Sequence, residues 1–282
     1  MILSGKARLA GVMGWPVAHS RSPRLHGFWL DRYGIDGAYL PLAVRPEHLE
    51  AALRALPLLG FRGVNLTLPH KEAALAALDE VDPEARRIGA VNTVAVTGDG
   101  RLRGWNTDAF GFLAHLRDAA PSWRPQAGPA VLLGAGGAAR AVCAALAGAG
   151  VPEIRLVNRT RARAEEVAAA IGGPIRALDW EQRAAALDGA ALLVNTTTLG
   201  MAGQPPLDLD LGRLPPEAVV NDIVYVPLET PLLRAAAARG NVCVDGLGML
   251  LHQARPGFAA WFGVEPEVDA GLRAFVLKDL PQ

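Results

Sequence analysis

The sequence has little of several things, and each scarcity excludes a class of protein. Two cysteines in 282 residues, Cys143 and Cys243, do not support a disulfide framework, so we expect two free thiols in a reducing cytoplasm. The formal net charge is zero, which gives no indication of binding to nucleic acid or to an anionic membrane. No apolar run approaches the roughly 20 residues of a membrane span, and the N-terminal segment lacks the apolar stretch of a signal peptide.

Lysine is scarce as well. Only Lys6, Lys71 and Lys278 are lysines among the 28 basic residues. Lys6 and Lys278 lie near the termini, where changes are tolerated. Lys71 lies inside a motif, so we expect it to have a function.

The pattern of apolar segments predicts two domains of the α/β class. Strand-like and helix-like segments alternate over the first hundred residues, and segments 91–96 and 102–105 indicate a hairpin, which together predict a mixed sheet. Later apolar runs, at 192–195 and 219–224, are typical of parallel strands buried on both faces. We predict an N-terminal substrate-binding and catalytic domain (1–108) and a Rossmann-type domain (109–250), with the C-terminal helices (251–282) packing back on the first domain.

A glycine-rich turn marks the second domain. Gly134, Gly136 and Ala139 follow an apolar strand with the G-x-G-x-x-G/A spacing that places a pyrophosphate at a helix N-terminus. The next strand ends at Asn158, where NAD-binding sites carry an acidic residue for the ribose 2′-hydroxyl. Here Arg159 follows instead, with Arg163 one turn later, which suits a 2′-phosphate. The pattern predicts an NADP site.

Seven short motifs occur in order along the chain. They are Ser20-Arg21-Ser22-Pro23, Asn65 to Lys71 (Asn-Leu-Thr-Leu-Pro-His-Lys), Gly89 to Thr93, Gly104 to Asp108, Gly134 to Arg140, Asn158 to Thr160, and Asp245 to Ala254. Together they resemble the motifs of the NADP-dependent shikimate dehydrogenase family over nearly the whole length. The resemblance implies reversible NADPH-dependent reduction of 3-dehydroshikimate to shikimate, a step of aromatic amino acid (chorismate) biosynthesis.

The resemblance also assigns residues to roles. It makes Lys71 and Asp108 the catalytic pair, since reducing a ketone needs a proton donor near the oxygen on which charge develops. It implies that Ser20 and Ser22, helped by Tyr225, hold the substrate carboxylate. Ring hydroxyls are expected at Thr67, Asn92 and Gln253, with Lys71 and Asp108 completing the substrate site. The implied cofactor residues are Gly134, Ala135, Gly136, Gly137, Ala138, Asn158, Arg159, Thr160, Arg163, Thr197, Ile223 and Gly246.

Several of these residues have an alternative structural explanation. Ser22 before Pro23 fits a helix N-cap, and Asp108 fits the N-cap of a helix beginning at Ala109. His70 is expected to point to another face than Lys71 and to be structural. The six histidines lack metal-ligand spacing, so no metal is expected.

Three departures from the family pattern fall near the expected nicotinamide region: Thr196–Thr198, Ile223 and Val226. Competing hypotheses are a quinate or dual-specificity dehydrogenase, using NADP or NAD, and a tetrahydrofolate-type dehydrogenase. The Ser20 and Ser22 motif and the 246–253 block count against the latter. A non-catalytic dinucleotide-binding regulator is a third hypothesis, disfavoured by the neutral chain and the Lys71–Asp108 pair. We expect a small-molecule substrate as partner, and a monomer or homodimer.

Overall fold

The computed structural model describes residues 2–278. Met1 and residues 279–282 lie outside the described part of the chain, and with them the outer ends of the predicted segments 1–108 and 251–282 and of a helix expected over 268–280. The chain divides into unit 1, residues 2–107 and 253–278, and unit 2, residues 108–252. Each unit contains one six-stranded sheet, which confirms the predicted α/β class.

The sheet of unit 1 is mixed, as predicted. Its strands are β1 (Arg8–Gly14), β2 (Gly37–Ala43), β3 (Phe61–Leu66), β4 (Glu80–Val81), β5 (Thr93–Val96) and β6 (Leu102–Trp105). They lie in the order β2-β1-β3-β5-β6-β4, with β5 antiparallel to both neighbours and the other pairs parallel. The carboxyl ends of β1, β3 and β6 therefore meet the start of β5 at one edge of this sheet.

Four helices of unit 1 follow these strands. They are α1 (Ser22–Arg32), α2 (Leu49–Ala55), α3 (His70–Ala73) and α4 (Pro83–Ile88), with 3-10 turns at Pro46–His48 and Ala74–Ala76. One core cluster joins α2 to the sheet through Leu49 and Leu53, which pack with Met13, Val64 and Val94. Burying apolar side chains on one face of each element stabilises the unit and leaves the loops at the edge free to carry polar groups.

Unit 2 has the strand order of a Rossmann fold. Its strands are β7 (Ala130–Leu133), β8 (Ile154–Asn158), β9 (Ile175–Asp179), β10 (Leu192–Asn195), β11 (Val219–Asp222) and β12 (Val242–Val244). All pairs are parallel in the order β12-β11-β10-β7-β8-β9. Its helices are α5 (Asp108–Ala119), α6 (Gly137–Gly148), α7 (Arg161–Ile171) and α8 (Pro231–Ala238). In such sheets ligands bind beyond the carboxyl ends of the strands.

Two helices close the described chain. The first, α9 (Leu247–Phe262), belongs to unit 2 up to His252 and to unit 1 from Gln253. The second, α10 (Ala270–Leu277), is capped by Asp269 and packs on α1, where the Arg24 guanidinium lies 4.2 Å from the centre of the Phe275 ring. None of the helices within residues 2–278 is both long and apolar enough to cross a bilayer.

Some local predictions were wrong. Helix α1 begins at Ser22 itself and its N-cap is Arg21, so Ser22 is not a side-chain cap. Helix α5 likewise begins at Asp108 and not after it. The apolar spacing of 46–56 predicts a single helix, but this segment starts as a 3-10 turn before becoming α2. Strand β9 was not predicted, because its burial pattern is irregular.

Candidate active site

The loops at the edge of the unit 1 sheet bring the predicted substrate residues together. Strands β1 and β3 are parallel neighbours, so the loop that carries Ser20 and leads into α1 at Ser22 leaves the sheet beside the loop that carries Thr67. Their backbones are joined, since the Trp15 amide donates to the Leu68 carbonyl at 3.0 Å. A Cβ on Gly14 would lie 2.5 Å from Cγ2 of Thr67, so this close approach requires a glycine.

Helix α3, which carries Lys71, is held in place from two sides. The carbonyl of Lys71 accepts the Val91 amide at 2.8 Å, which ties the helix to the segment leading into β5. The buried His70 ring donates from Nε2 to the Val44 carbonyl at 2.8 Å. His70 is therefore structural, as expected, and anchors the backbone beside Lys71.

Asn92 and Gln253 meet although they are 161 positions apart. Asn92 Nδ2 lies 3.3 Å from Gln253 Oε1, and both side chains are buried. The Thr107 amide donates to Asn92 Oδ1 at 2.8 Å, which orients the asparagine. The loop reaching Asn92 starts from Gly89, whose left-handed φ of 76° ends α4.

The remaining two predicted substrate residues belong to unit 2. Asp108 is buried in the first turn of α5, and Tyr225 is half-buried in the loop after β11. Lys71, Ser20 and Ser22 belong to unit 1. The pairing of Lys71 with Asp108 and the joining of Tyr225 to the serines remain predictions.

In unit 2 the glycine-rich turn has the form that a dinucleotide requires. Gly134 has φ +101°, and its amide donates to the Val157 carbonyl at 2.8 Å. Helix α6 follows with Gly136 as an N-cap that forms no side-chain hydrogen bond, so the side chains leave its first amides to a ligand. A Cβ on Gly136 or Gly137 would meet nothing of the described chain within 4 Å, which means that the space above the turn is open. This chain's residues therefore fit a pyrophosphate.

Arg159 and Arg163, the arginines predicted to bind the 2′-phosphate, follow the end of β8. Both are exposed, and within residues 2–278 neither forms an ion pair. Arg161 between them is committed elsewhere, to Glu165 at 2.8 Å and Asp179 at 2.9 Å. The Asn158 side-chain amide donates to the Thr160 carbonyl at 2.8 Å, which orders the turn that presents the arginines.

A buried carboxylate organises the loops beyond β10 and β11. Asp222 accepts hydrogen bonds from Asn195 Nδ2 at 3.0 Å, the Val224 amide at 3.0 Å and the Thr230 hydroxyl at 2.7 Å. Burial raises the pKa of Asp222, against the opposing effect of these hydrogen bonds. Asn195 in turn accepts from the amide and hydroxyl of Thr197. The sequence analysis did not identify Asp222, because its side-chain partners Asn195 and Thr230 come close to it only in the folded unit.

The departures near the expected nicotinamide region fit this framework. The Thr196 hydroxyl donates to the Leu133 carbonyl at 2.6 Å, so this side chain is hydrogen-bonded within unit 2. Gly246 packs on the backbone of Ile223, since a Cβ there would lie 2.2 Å from the Ile223 carbonyl oxygen. Thr197, Ile223 and Gly246, all predicted cofactor residues, thus lie on loops at the same end of the unit 2 sheet.

A Rossmann unit with an uncapped glycine turn and two exposed arginines defines a dinucleotide-dependent class of protein. Three family models match the chain: the shikimate dehydrogenase substrate binding domain over residues 12–94, shikimate / quinate 5-dehydrogenase over 124–200, and the shikimate 5′-dehydrogenase C-terminal domain over 246–274. The chain is 68% identical over 275 residues to the NADP(+) shikimate dehydrogenase of Paramagnetospirillum magneticum, covering 98% of this chain and 100% of that relative. The chain belongs to the shikimate dehydrogenase family.

Two solved structures agree with this assignment. The first, a shikimate 5-dehydrogenase from Thermus thermophilus in complex with NADP(H) and shikimate, is 43% identical with a TM-score of 0.85, covering 96% of this chain and 99% of that one. The second, a quinate dehydrogenase from Corynebacterium glutamicum in complex with NAD, is 33% identical with a TM-score of 0.89, covering 96% of this chain and 99% of that one.

Proposed function

We propose that this chain is an NADP-dependent shikimate dehydrogenase that reversibly reduces 3-dehydroshikimate to shikimate. The observation that carries the proposal is the meeting of Asn92 with Gln253 in unit 1, because two separate family motifs join there in one buried hydrogen bond. The high identity to a named NADP(+) shikimate dehydrogenase over nearly the full chain supports the same reaction.

The substrate is a small carboxylic acid with several ring hydroxyls, and we assign each polar group to a set of residues. Ser20, Ser22 and Tyr225 bind the carboxylate, while Thr67, Asn92 and Gln253 bind ring hydroxyls. A site that hydrogen-bonds each hydroxyl rejects analogues, since a missing hydroxyl leaves a buried polar group unpaired.

Lys71 and Asp108 handle the proton. When bound, the nicotinamide supplies the hydride that reduces the carbonyl carbon and accepts it in the reverse direction. The Lys71 ammonium donates the proton that the carbonyl oxygen gains, and its charge stabilises that oxygen as negative charge develops. The Asp108 carboxylate holds the ammonium and accepts from the substrate hydroxyl. In the oxidising direction Lys71 takes the proton back.

The cofactor site uses the residues of unit 2. The glycine-rich turn and the start of α6 receive the pyrophosphate, through Gly134, Ala135, Gly136, Gly137 and Ala138. Arg159 and Arg163 receive the 2′-phosphate, and Asn158 and Thr160 shape the turn that carries Arg159. Thr197, Ile223 and Gly246 line the nicotinamide end. Both cysteines are free thiols, which supports a cytoplasmic setting.

Steady-state kinetics test the proposal. The purified chain should reduce NADP with shikimate, followed by the absorbance of the reduced nicotinamide. Its kcat/KM should be higher for shikimate than for quinate, and higher with NADP than with NAD. Higher kcat/KM with quinate and NAD would assign it instead to the quinate branch, and no turnover of either acid would reject the catalytic assignment. Light scattering of the same sample distinguishes a monomer from the homodimer.

A further inference from the structure

We propose that Tyr39, Asn65 and Thr93 are positioning residues that hold the Asn92 and Gln253 side chains of the substrate site in place. The inference rests on the proposed function and concerns one connected set of side chains in unit 1. This set, the buried polar chain, consists of Tyr39, Asn65, Thr93, Asn92 and Gln253.

Each member of the buried polar chain is hydrogen-bonded to the next. The Tyr39 hydroxyl lies 2.6 Å from Asn65 Oδ1. Asn65 Nδ2 lies 3.1 Å from Thr93 Oγ1, which lies 2.9 Å from Asn92 Oδ1. Asn92 Nδ2 completes the sequence at Gln253 Oε1. All five side chains are less than a tenth exposed, so water does not substitute for a lost partner.

The sheet brings Tyr39 and Asn65 together over small residues. Tyr39 pairs with Ala10 on β1, and Ala10 pairs with Gly63 on β3, so these three positions share one face of the sheet. The Tyr39 ring reaches across Ala10 of β1 toward Asn65, two residues beyond Gly63, and the space over Gly63 itself is filled by the Trp261 indole, whose Nε1 would lie 2.2 Å from an added Cβ. Asn65 faces Thr93 directly in the antiparallel β3–β5 pair, which places their side chains on the same face.

Backbone groups fix the direction of the two asparagine amides. Asn65 Nδ2 also lies 3.1 Å from the Asn92 carbonyl, which can only accept, so the NH2 end of Asn65 must face it. Asn92 Oδ1 lies 2.8 Å from the Thr107 amide, which can only donate, so the oxygen end of Asn92 must face it. Neither amide can be rotated without placing like atoms together.

The hydroxyl groups follow from these amide directions. Tyr39 donates to Asn65 Oδ1. Thr93 accepts from Asn65 Nδ2, and its own proton can go to Asn92 Oδ1 at 2.9 Å or to the Thr107 hydroxyl at 3.3 Å. Asn92 Nδ2 in turn donates to the Thr107 hydroxyl at 2.9 Å and lies 3.3 Å from Gln253 Oε1. Loss of the Thr93 hydroxyl therefore removes a hydrogen bond from the side chains that hold Asn92 and Gln253.

Thr93 allows this role to be separated from simple packing. Its hydroxyl joins the buried polar chain, whereas its methyl lies against Gly257 of α9, where an added Cβ would come within 3.3 Å of Cγ2. Thr93→Val removes the hydroxyl and keeps the methyl. Thr93→Ser keeps the hydroxyl and removes the methyl.

The experiment measures kcat, both KM values and the melting temperature of these two variants. Thr93→Val should raise the KM for shikimate about five- to tenfold, the effect of one lost buried hydrogen bond, with the KM for NADP unchanged. Thr93→Ser should melt lower but keep the wild-type KM for shikimate. Thr97→Val is the matched control, because the Thr97 hydroxyl donates to the Arg101 carbonyl outside the buried polar chain, and its KM should not change.

A double-mutant cycle tests the connection to Gln253. Each of Thr93→Val and Gln253→Ala should raise the KM for shikimate. If the two residues are coupled, the rise in the double variant should be smaller than the product of the two single rises. Independent effects, or equal KM changes in Thr93→Val and Thr93→Ser, would overturn the positioning role alone. If Thr93→Val does not fold, Tyr39→Phe replaces it and should also raise the KM for shikimate only. A folded wild-type protein without activity on shikimate would overturn the proposed function and this inference with it.

Discussion

The imidazole of His26 lies flat on the phenol ring of Tyr39, with ring centres 3.9 Å apart and planes 3° from parallel. His26 is fully buried, and within residues 2–278 neither ring nitrogen has a hydrogen-bond partner of regular geometry. Burial lowers the pKa of His26 from 6.5 to about 3, although the neighbouring Asn65 acts in the opposite direction. His26 is thus a neutral ring that packs against Tyr39 of the buried polar chain.

We predict that His26 makes the protein less stable in acid. The unfolded chain takes up a proton on His26 below pH 6.5, whereas the folded chain does so only near pH 3. Acidification within that window therefore favours unfolding by up to about 1.4 kcal/mol per pH unit. Between pH 6.5 and 5, the free energy of unfolding should fall about 2 kcal/mol more for wild type than for His26→Phe, measured by urea titration.

Exposed His48 provides the control for this prediction. His48→Gln should keep the wild-type dependence of the unfolding free energy on pH. If His26→Phe and wild type lose the same stability on acidification, His26 is not the buried neutral group that the structure describes.

We predict that Lys71→Ala acts mainly on kcat. The ammonium acts on charge that develops on the substrate oxygen, so kcat should fall roughly 100- to 10,000-fold while the KM for shikimate changes much less. Lys6→Ala, at an exposed position near the N-terminus, should leave both unchanged. A variant of Lys71 with raised KM and normal kcat would make this residue a binding group, and the proton would then come from another donor.

We predict that Arg159→Ala changes the choice of cofactor. Losing a charge-assisted hydrogen bond to the 2′-phosphate, worth about 1.5–3 kcal/mol, should raise the KM for NADP about 10- to 100-fold. The KM for NAD, which has no such phosphate, should change little. Arg161→Ala is the control on the same turn, because Arg161 is paired with Glu165 and Asp179 and should not affect the preference. If the ratio of the KM for NADP to the KM for NAD were the same in Arg159→Ala and Arg161→Ala, Arg159 would not be the residue that binds the 2′-phosphate.

We predict that Gly246→Ala disturbs the loop carrying Ile223. The new Cβ would lie 2.2 Å from the Ile223 carbonyl oxygen and 2.7 Å from that of Val224, so the backbone must shift. Such overpacking should cost about 1–3 kcal/mol of stability and raise the KM for NADP. Gly148→Ala, at the last residue of α6 with nothing of the described chain within 4 Å, should be neutral or slightly stabilising by thermal melting. Equal behaviour of the two variants would mean that the close approach is not required.

Local patterns predicted much of the fold and part of the site. The glycine-rich turn, the hairpin of β5 and β6, and the apolar strands of unit 2 each depend on neighbouring residues, so the sequence alone indicates them. The predicted N-cap at Ser22 was wrong because α1 begins at Ser22 itself, with Arg21 as the N-cap residue.

The buried polar chain could not be predicted in the same way. Tyr39, Asn65 and Thr93 lie on three different strands, and apart from the Thr93–Asn92 contact their hydrogen-bond partners in the chain are distant in sequence. The one available signal was an asparagine and a threonine within apolar strand segments, where an unpaired polar group would be costly. Which atoms donate follows only from backbone groups of residues 92 and 107, which the register of β3, β5 and β6 brings into range.

Helix α3 has four residues, too few to be stable as an isolated helix in water. Its order comes from the Val91 amide on one side and the Val44 carbonyl on the other, both far from Lys71 in sequence. A peptide containing residues 65–71, or the same segment grafted onto another scaffold, would therefore carry the lysine without its placement. The placement of Lys71 depends on the whole edge of the unit 1 sheet. Moving the short segment alone into another protein would therefore not transfer the activity.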